Sequence, residues 1–190
     1  MKKLFYIALG LLCWSCHNND YEDIIESSTP EKETRLNDPQ FPDKSYILSN
    51  KYIVGMMDAG WAQTKKSAKE NNRREFGFVI YSVPTSAGEF ALDIKQLLSG
   101  PVVNGTDAAQ FPFKNIEYNY CGLFHTHTPL TYVKGNFQRK TGPSQADKAS
   151  TSNYLAPEFV FDYTMNYVYS GHPIDAAAKI YSYSVDRRLY

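Results

Sequence analysis

The chain has 190 residues, of which 43% are hydrophobic and 15% aromatic, so it holds enough apolar material for one globular core and hardly for two. Its 20 Lys and Arg residues balance 20 Asp and Glu residues, which gives a formal net charge of zero. Because there is neither a basic surplus nor a basic stripe interleaved with aromatic residues, no nucleic-acid partner is expected.

The first segments in chain order are a secretory signal and a tether. Two lysines precede an apolar run over residues 4–12, which is too short to span a bilayer and is typical of a signal peptide. The run is followed by Ser15 and Cys16, a pair that resembles a bacterial lipobox. The resemblance implies that residues 1–15 are removed and that Cys16 is lipidated. Polar residues 16–44 predict a flexible tether, so we expect an exported protein anchored by lipid in the cell envelope, at the outer membrane and displayed on its surface.

Residues 45–190 are predicted to form one α+β domain, in which helices flank a mostly antiparallel sheet. Apolar residues at helical spacing predict one helix over residues 49–73, and Ser144 is the expected N-cap of a second helix over residues 144–154. Strands are predicted over residues 76–83, 89–94, 116–126, 158–163, 165–169 and 178–183. Residues 134–143 are expected to be a loop.

A candidate metal site follows from the third predicted strand and the second predicted helix. His125 and His127 are two residues apart in a strand, so both imidazoles point to one face and can reach the same ion. Asp147, in the first turn of the helix, would add a carboxylate and leave one coordination position for water. Two imidazoles and a carboxylate suit zinc, which lowers the pKa of bound water to about 7, while the donor types leave other divalent ions open.

Two further residues are candidates for the chemistry of hydrolysis. Glu75 precedes the first strand and could move a proton from water to a leaving amine. The alternative is that Glu75 makes weak, solvated ion pairs beside Arg73 and Arg74. Ser144 lies three residues before Asp147, so its hydroxyl could donate to a developing oxyanion or serve only as the helix cap.

Three other features receive structural interpretations. Cys121, which would be the only thiol besides Cys16 after signal cleavage, is predicted to be a small core residue without a disulfide. His172 precedes a proline in a predicted turn and matches no metal spacing. The tyrosines of the C-terminal strands are expected to cover a half-buried sheet surface, with a sugar- or peptide-binding platform as the alternative.

The order of the candidate residues resembles the JAMM motif of JAB/MPN metallopeptidases. The matching parts are Glu75, the run Cys-Gly-Leu-Phe-His-Thr-His-Thr-Pro over residues 121–129, and Ser144 with Asp147. The resemblance covers about residues 75–183. It implies a three-layer, cytidine-deaminase-like JAB/MPN fold and a zinc peptidase or isopeptidase. In that family the glutamate is the general base, the two histidines and the aspartate bind zinc, and the serine stabilises the tetrahedral intermediate.

One departure from the family pattern is the spacing between His127 and Ser144. Residues 128–143 form a longer connection than is usual in the family, and an inserted loop could absorb the difference at little entropic cost. Such a loop could also cover the site and narrow its substrates. The implied substrates are amides of peptides or proteins, and oligomeric state is not predicted. Two alternatives stay open: a non-catalytic binding module of the same fold, and an anchored structural protein, which predicts that the metal ligands lie apart.

Overall fold

A computed structural model of the chain describes residues 42–69, 71–103 and 111–184. The predicted signal peptide, the predicted lipidation site Cys16 and most of the predicted tether lie outside the described residues. No helix within the described ranges is both long and apolar enough to cross a membrane.

The described residues form three helices and eight strands. The helices are α1 (Lys44–Ser49), α2 (Lys51–Ser67) and α3 (Gln145–Tyr154). The strands are β1 (Phe76–Pro84), β2 (Phe90–Ile94), β3 (Leu98–Ser99), β4 (Tyr120–Thr126), β5 (Gln138–Lys140), β6 (Glu158–Tyr163), β7 (Tyr167–Tyr169) and β8 (Ala178–Tyr183).

Six of these strands form one mixed sheet with the order β2-β1-β4-β6-β8, and β3 pairs with the start of β1. Only the pair β4–β6 is parallel among the described strands, and α3 lies in the connection between its two members. Strands β5 and β7 form a separate antiparallel pair. The predicted α+β class, with a mostly antiparallel sheet flanked by helices, is therefore confirmed.

The predicted span 49–73 holds one helix, α2, but its bounds are narrower, from Lys51 to Ser67, and the short helix α1 that ends at Ser49 was not predicted. Asn50 has non-helical backbone angles, and its side-chain oxygen accepts from the N–H groups of Tyr52 and Ile53 at 3.0 and 3.2 Å. An asparagine at this position caps the second helix and interrupts the first.

The main core lies between the sheet and helices α1 and α2. Trp61 of α2 stacks on Phe161 of β6 with ring centroids 5.1 Å apart. Gly60 allows α2 to approach β4, since a Cβ there would lie 2.9 Å from Cε1 of Phe124. The opposite face of the sheet carries a smaller cluster of Val79, Tyr81 and Leu123. Because side chains alternate along a strand, β4 and β6 present mostly apolar residues to α1 and α2, while His125, Glu158 and Asp162 lie on the other face.

The bounds of two strands and the burial of two side chains bear on the local expectations. The third predicted strand begins four residues late, at Tyr120, and β5 lies inside the predicted loop. Cys121 is buried in the main core, as predicted. His172 is buried against the rings of Tyr163 and Tyr169, and in the sequence it lies far from the three candidate metal ligands.

Candidate metal centre

His125 and His127 occupy the end of β4 on the face away from α2. The residues between and before them, Thr126 and Phe124, point to the opposite face. There the hydroxyl groups of Thr126 and Thr64 form a buried hydrogen bond, which attaches this end of the strand to α2. The alternation of the strand therefore aims both imidazoles at the polar face, as the sequence predicts.

Asp147 reaches the same place from the first turn of α3. The N–H of Ser144 donates to Oδ2 of Asp147 at 2.6 Å, and the N–H of Asp147 donates to Oγ of Ser144 at 3.1 Å, which is a capping box. The carboxylate also faces the histidines, because Oδ1 lies 3.4 Å from Nε2 of His125 and Oδ2 lies 3.3 Å from Nε2 of His127. The alternative in which these three residues lie apart is thus contradicted.

The three side chains fit a bound cation. One ligand atom from each of His125, His127 and Asp147 can be chosen so that all lie within 4.8 Å of one another. Tetrahedral ligands at about 2.0–2.2 Å from zinc are separated by about 3.3–3.6 Å along the edges of the tetrahedron. The imidazole-to-carboxylate distances fall in this interval, so the group could hold a metal ion.

Glu75 lies beside this group and is 5% exposed, which contradicts the alternative of a solvated ion-pairing residue. Its backbone is held where β1 begins, because the N–H of Gly100 donates to the Glu75 carbonyl at 2.8 Å. Gly77 pairs with His125 across the sheet, so Glu75 lies two positions further along the same face, towards His127.

Gly77 makes room for the site, and sequence reasoning did not identify it. A Cβ at this position would lie 2.4 Å from the carbonyl oxygen of Phe124 and 3.1 Å from Cβ of His125. Any other residue would therefore push β1 away from the strand that carries the ligands. A glycine two residues after a candidate base is the signal that could have indicated this close approach.

The candidate base Glu75 and the candidate ligand His125 both have raised pKa values. Burial raises the pKa of Glu75 above its ordinary value, although the nearby His125 and His127 act in the opposite direction. Burial alone would lower the pKa of His125, but contacts with Asp147 and Glu158 outweigh it and raise the pKa to about 10. In the metal-free protein, His125 is therefore protonated at neutral pH, while Glu75 is biased towards keeping a proton.

Asp147 and His127 show the complementary effect. Burial favours the neutral form of Asp147, but its contacts with His125 and His127 hold the pKa well below the usual range. For His127, burial lowers the pKa, and contacts with Asp147 and Asp162 more than reverse this. Without a metal ion, the carboxylates thus stabilise positive charge on the rings of His125 and His127. A bound metal ion would supply the positive charge in place of these ring protons.

Two acidic residues of β6 stand behind the histidines, and neither was predicted from the sequence. Glu158 is 1% exposed, with Oε1 3.1 Å from Nδ1 of His125, although the contact is not aligned as a hydrogen bond. Asp162 is fully buried and its Oδ2 lies 3.1 Å from Nδ1 of His127, in hydrogen-bond geometry. Charged side chains are rarely this buried without a partner, so acids in an otherwise aromatic strand were the available signal.

The candidate site opens into a cavity of about 920 Å³. Its lining includes Glu75, Ser144 and the three candidate ligands. Segment 128–143, which lengthens the spacing between His127 and Ser144, contributes much of the rest of the wall: Thr128, Leu130, Val133, Phe137, Gln138, Arg139, Lys140, Thr141, Gly142 and Pro143. Phe111 and Phe113 add aromatic surface, and the Phe113 ring lies edge-on to His125 at 6.1 Å. The cavity is large enough for several residues of a peptide.

Compared with protein-family models, curated proteins and solved structures, the chain matches none. The geometry of the site therefore carries the functional argument.

Proposed function

We propose that this chain is a zinc-dependent hydrolase of amide bonds, a peptidase or isopeptidase of the JAMM type. One observation carries the proposal: Nε2 atoms of His125 and His127 converge on the Asp147 carboxylate at 3.4 and 3.3 Å, with the buried Glu75 at the same face. Three protein ligands beside one carboxylate that is not a ligand are what a hydrolytic zinc site requires.

Each residue would have a defined task in such an enzyme. His125, His127 and Asp147 would hold the zinc ion, which acts as a Lewis acid and makes water nucleophilic at neutral pH. Glu75 would take a proton from the attacking water and deliver it to the leaving amine, and its raised pKa suits a group that must hold that proton.

Ser144 would act on the opposite side of the reacting carbonyl. Its Oγ accepts from the N–H of Asp147 and keeps its own proton available for donation. Ser144 also marks the start of α3, and the N-terminal end of a helix is favourable for negative charge. A substrate carbonyl placed against this end of the cavity would have its developing negative charge stabilised.

We further propose that the domain has the JAB/MPN fold and is displayed on a lipid anchor at Cys16. The order of the motif residues in the fold supports the first point. Glu75 precedes β1, the histidines end the neighbouring strand β4, and Ser144 and Asp147 begin the helix that follows. The signal-like residues 1–15 support the second point.

The first test is the metal content of the purified chain and of His127→Ala. We expect close to one zinc ion per native chain and loss of the ion in the variant. His172→Ala is the matched control, because His172 is also buried but contacts two tyrosine rings in place of the candidate ligands. A native protein that takes up no zinc when it is offered in excess would overturn the hydrolase proposal.

A second variant separates catalysis from binding. Glu75→Gln keeps the size of the side chain and all three metal ligands, so it should bind zinc and lose about 10²–10⁴-fold in the rate of amide hydrolysis. The substrates would be fluorogenic peptides and an isopeptide-linked pair. A native protein that binds zinc and hydrolyses neither would instead be a binding module built on the same site.

A further inference from the structure

We infer that Asp162 is a positioning residue for the metal ligand His127, and that Arg139 holds Asp162 in place from segment 128–143. The inference rests on the proposed metal site. It assigns a task to two residues that lie outside the JAMM pattern, and it connects the long segment between His127 and Ser144 to the chemistry.

Asp162 is surrounded by hydrogen-bond donors. Its Oδ1 accepts from Nη2 of Arg139 at 2.7 Å and from its neighbour, the N–H of Tyr163, at 2.8 Å. Its Oδ2 accepts from Nη1 of Arg139 at 2.6 Å and from the N–H of Gly142 at 2.9 Å, and it lies 3.1 Å from Nδ1 of His127. The Asp162 carboxylate is fully buried and is held by a bidentate guanidinium and two backbone N–H groups, so it cannot turn away from the imidazole of His127.

This arrangement fixes which nitrogen of His127 carries a proton. The carboxylate is an acceptor for every other group around it, so the hydrogen bond to His127 requires the proton to be on Nδ1. In the neutral ring, Nε2 then keeps its lone pair, and Nε2 is the atom that faces Asp147 at 3.3 Å. Outer carboxylates of this kind orient metal-binding histidines and strengthen the ligand.

Arg139 makes Asp162 suitable for this role. Its guanidinium offsets the negative charge of Asp162 and holds the carboxylate in place as an acceptor for Nδ1 of His127. Within the part of the chain that the structure describes, His125 has no equally aligned acceptor, since Glu158 lies 3.1 Å from its Nδ1 without hydrogen-bond alignment. The two histidines are thus held unequally, and His127 is the more firmly oriented ligand.

Residues near both ends of segment 128–143 contact Arg139 and Asp162. Near its start, the carbonyl of Thr128 accepts from Nη2 of Arg139 at 3.0 Å, and near its end the N–H of Gly142 donates to Asp162. In the middle, β5 pairs with β7 and places Arg139 opposite Val168, which belongs to the main core. The long connection is therefore attached to the back of a metal ligand as well as lining the cavity.

The direct test reads the ring of His127 by long-range ¹H–¹⁵N NMR in the native chain loaded with zinc. We expect a protonated Nδ1 and an Nε2 shifted by the metal. A ring that binds zinc through Nδ1, or an Nδ1 without a proton, would overturn the inference. This measurement needs no substitution, so it remains decisive if a variant fails to fold.

Metal affinity provides the second readout. Asp162→Asn places an amide N–H₂ among groups that are all donors, and we expect zinc affinity to fall by roughly 10–100-fold in competition with a chelator. Asp175→Asn is the matched control, because Asp175 pairs with Lys65 at 2.7 Å on the exposed surface. A folded Asp162→Asn protein with native affinity would refute the positioning role alone, whereas a native chain that binds no zinc would refute the proposed function and this inference with it.

Discussion

Zinc affinity should rise with pH well beyond the range of an ordinary histidine. In the metal-free protein, contacts with Asp147 and Glu158 outweigh burial and raise the pKa of His125 to about 10. Below that pH the ring carries a proton on both nitrogens, so a proton occupies the position that a metal would take. Because the pKa is raised, most His125 rings still carry this proton at pH 7. As the pH rises from neutrality towards the pKa, a growing fraction of the rings loses the proton, and metal binding becomes stronger.

The size of the effect follows from the number of protons displaced. Each proton released on binding makes the apparent association constant rise about tenfold per pH unit. His125 alone predicts a rise of about 100-fold between about pH 7 and pH 9. Asp147 stays ionised throughout this range, because its pKa is held well below the usual range, and contributes no slope.

The assay is competition with a chelator whose own zinc affinity is known at each pH, combined with calorimetry in two buffers of different ionisation enthalpy. Calorimetry counts the released protons directly. Two histidines with ordinary pKa values near 6.5 would give an affinity that levels off above about pH 7. A zinc affinity that stays constant above about pH 7, with no proton release on binding, would refute the reasoning that contacts with carboxylates keep protons on the histidine rings.

Three substitutions test other parts of the site. Ser144→Gly should cost only a few tenths of a kcal/mol as a helix cap but about 10²–10³-fold in hydrolysis, so an unchanged rate in a folded protein would leave Ser144 as a cap alone. Gly77→Ala should lower both thermal stability and zinc content, and native values of both would contradict the close approach of β1 and β4. Arg139→Met should lower the free energy of unfolding by about 3–5 kcal/mol because the fully buried Asp162 loses its guanidinium partner, while Lys65→Met at the surface should cost no more than about 1 kcal/mol in the same denaturant titration.

The parts of the site that depend on local chemistry could be predicted from the sequence. The period of a strand places His125 and His127 on one face whatever the strand pairs with. The helix cap is likewise local, because Ser144 and Asp147 satisfy each other's backbone N–H groups within one turn. The start of α2 is also set locally, because Asn50 caps it with its own side chain, although this cap was not predicted.

The parts that depend on strand pairing could not be predicted in this way. Glu158 and Asp162 are four residues apart in β6, which places them on one face, but nothing nearby in sequence specifies that β6 lies parallel to β4. The β4–β6 register brings Asp162 to His127, and both side chains then point to the same side. Arg139 is harder still, since β5 gains its conformation from β7, a strand about 30 residues later in the chain.

The Ser-x-x-Asp pattern alone does not distinguish a helix cap from part of a metal site. A capping box explains the spacing of Ser144 and Asp147 completely, and a cap at a free helix end would leave its carboxylate in water. Here the Asp147 side chain is only 14% exposed and faces two imidazole nitrogens at 3.3–3.4 Å. Burying an acid against two basic rings contributes nothing to the cap, and with Glu75 on the same face it creates a site for a cation and a mobile proton. The same aspartate thus caps the helix and directs the start of that helix towards the proposed metal site, so one residue can serve as both cap and ligand.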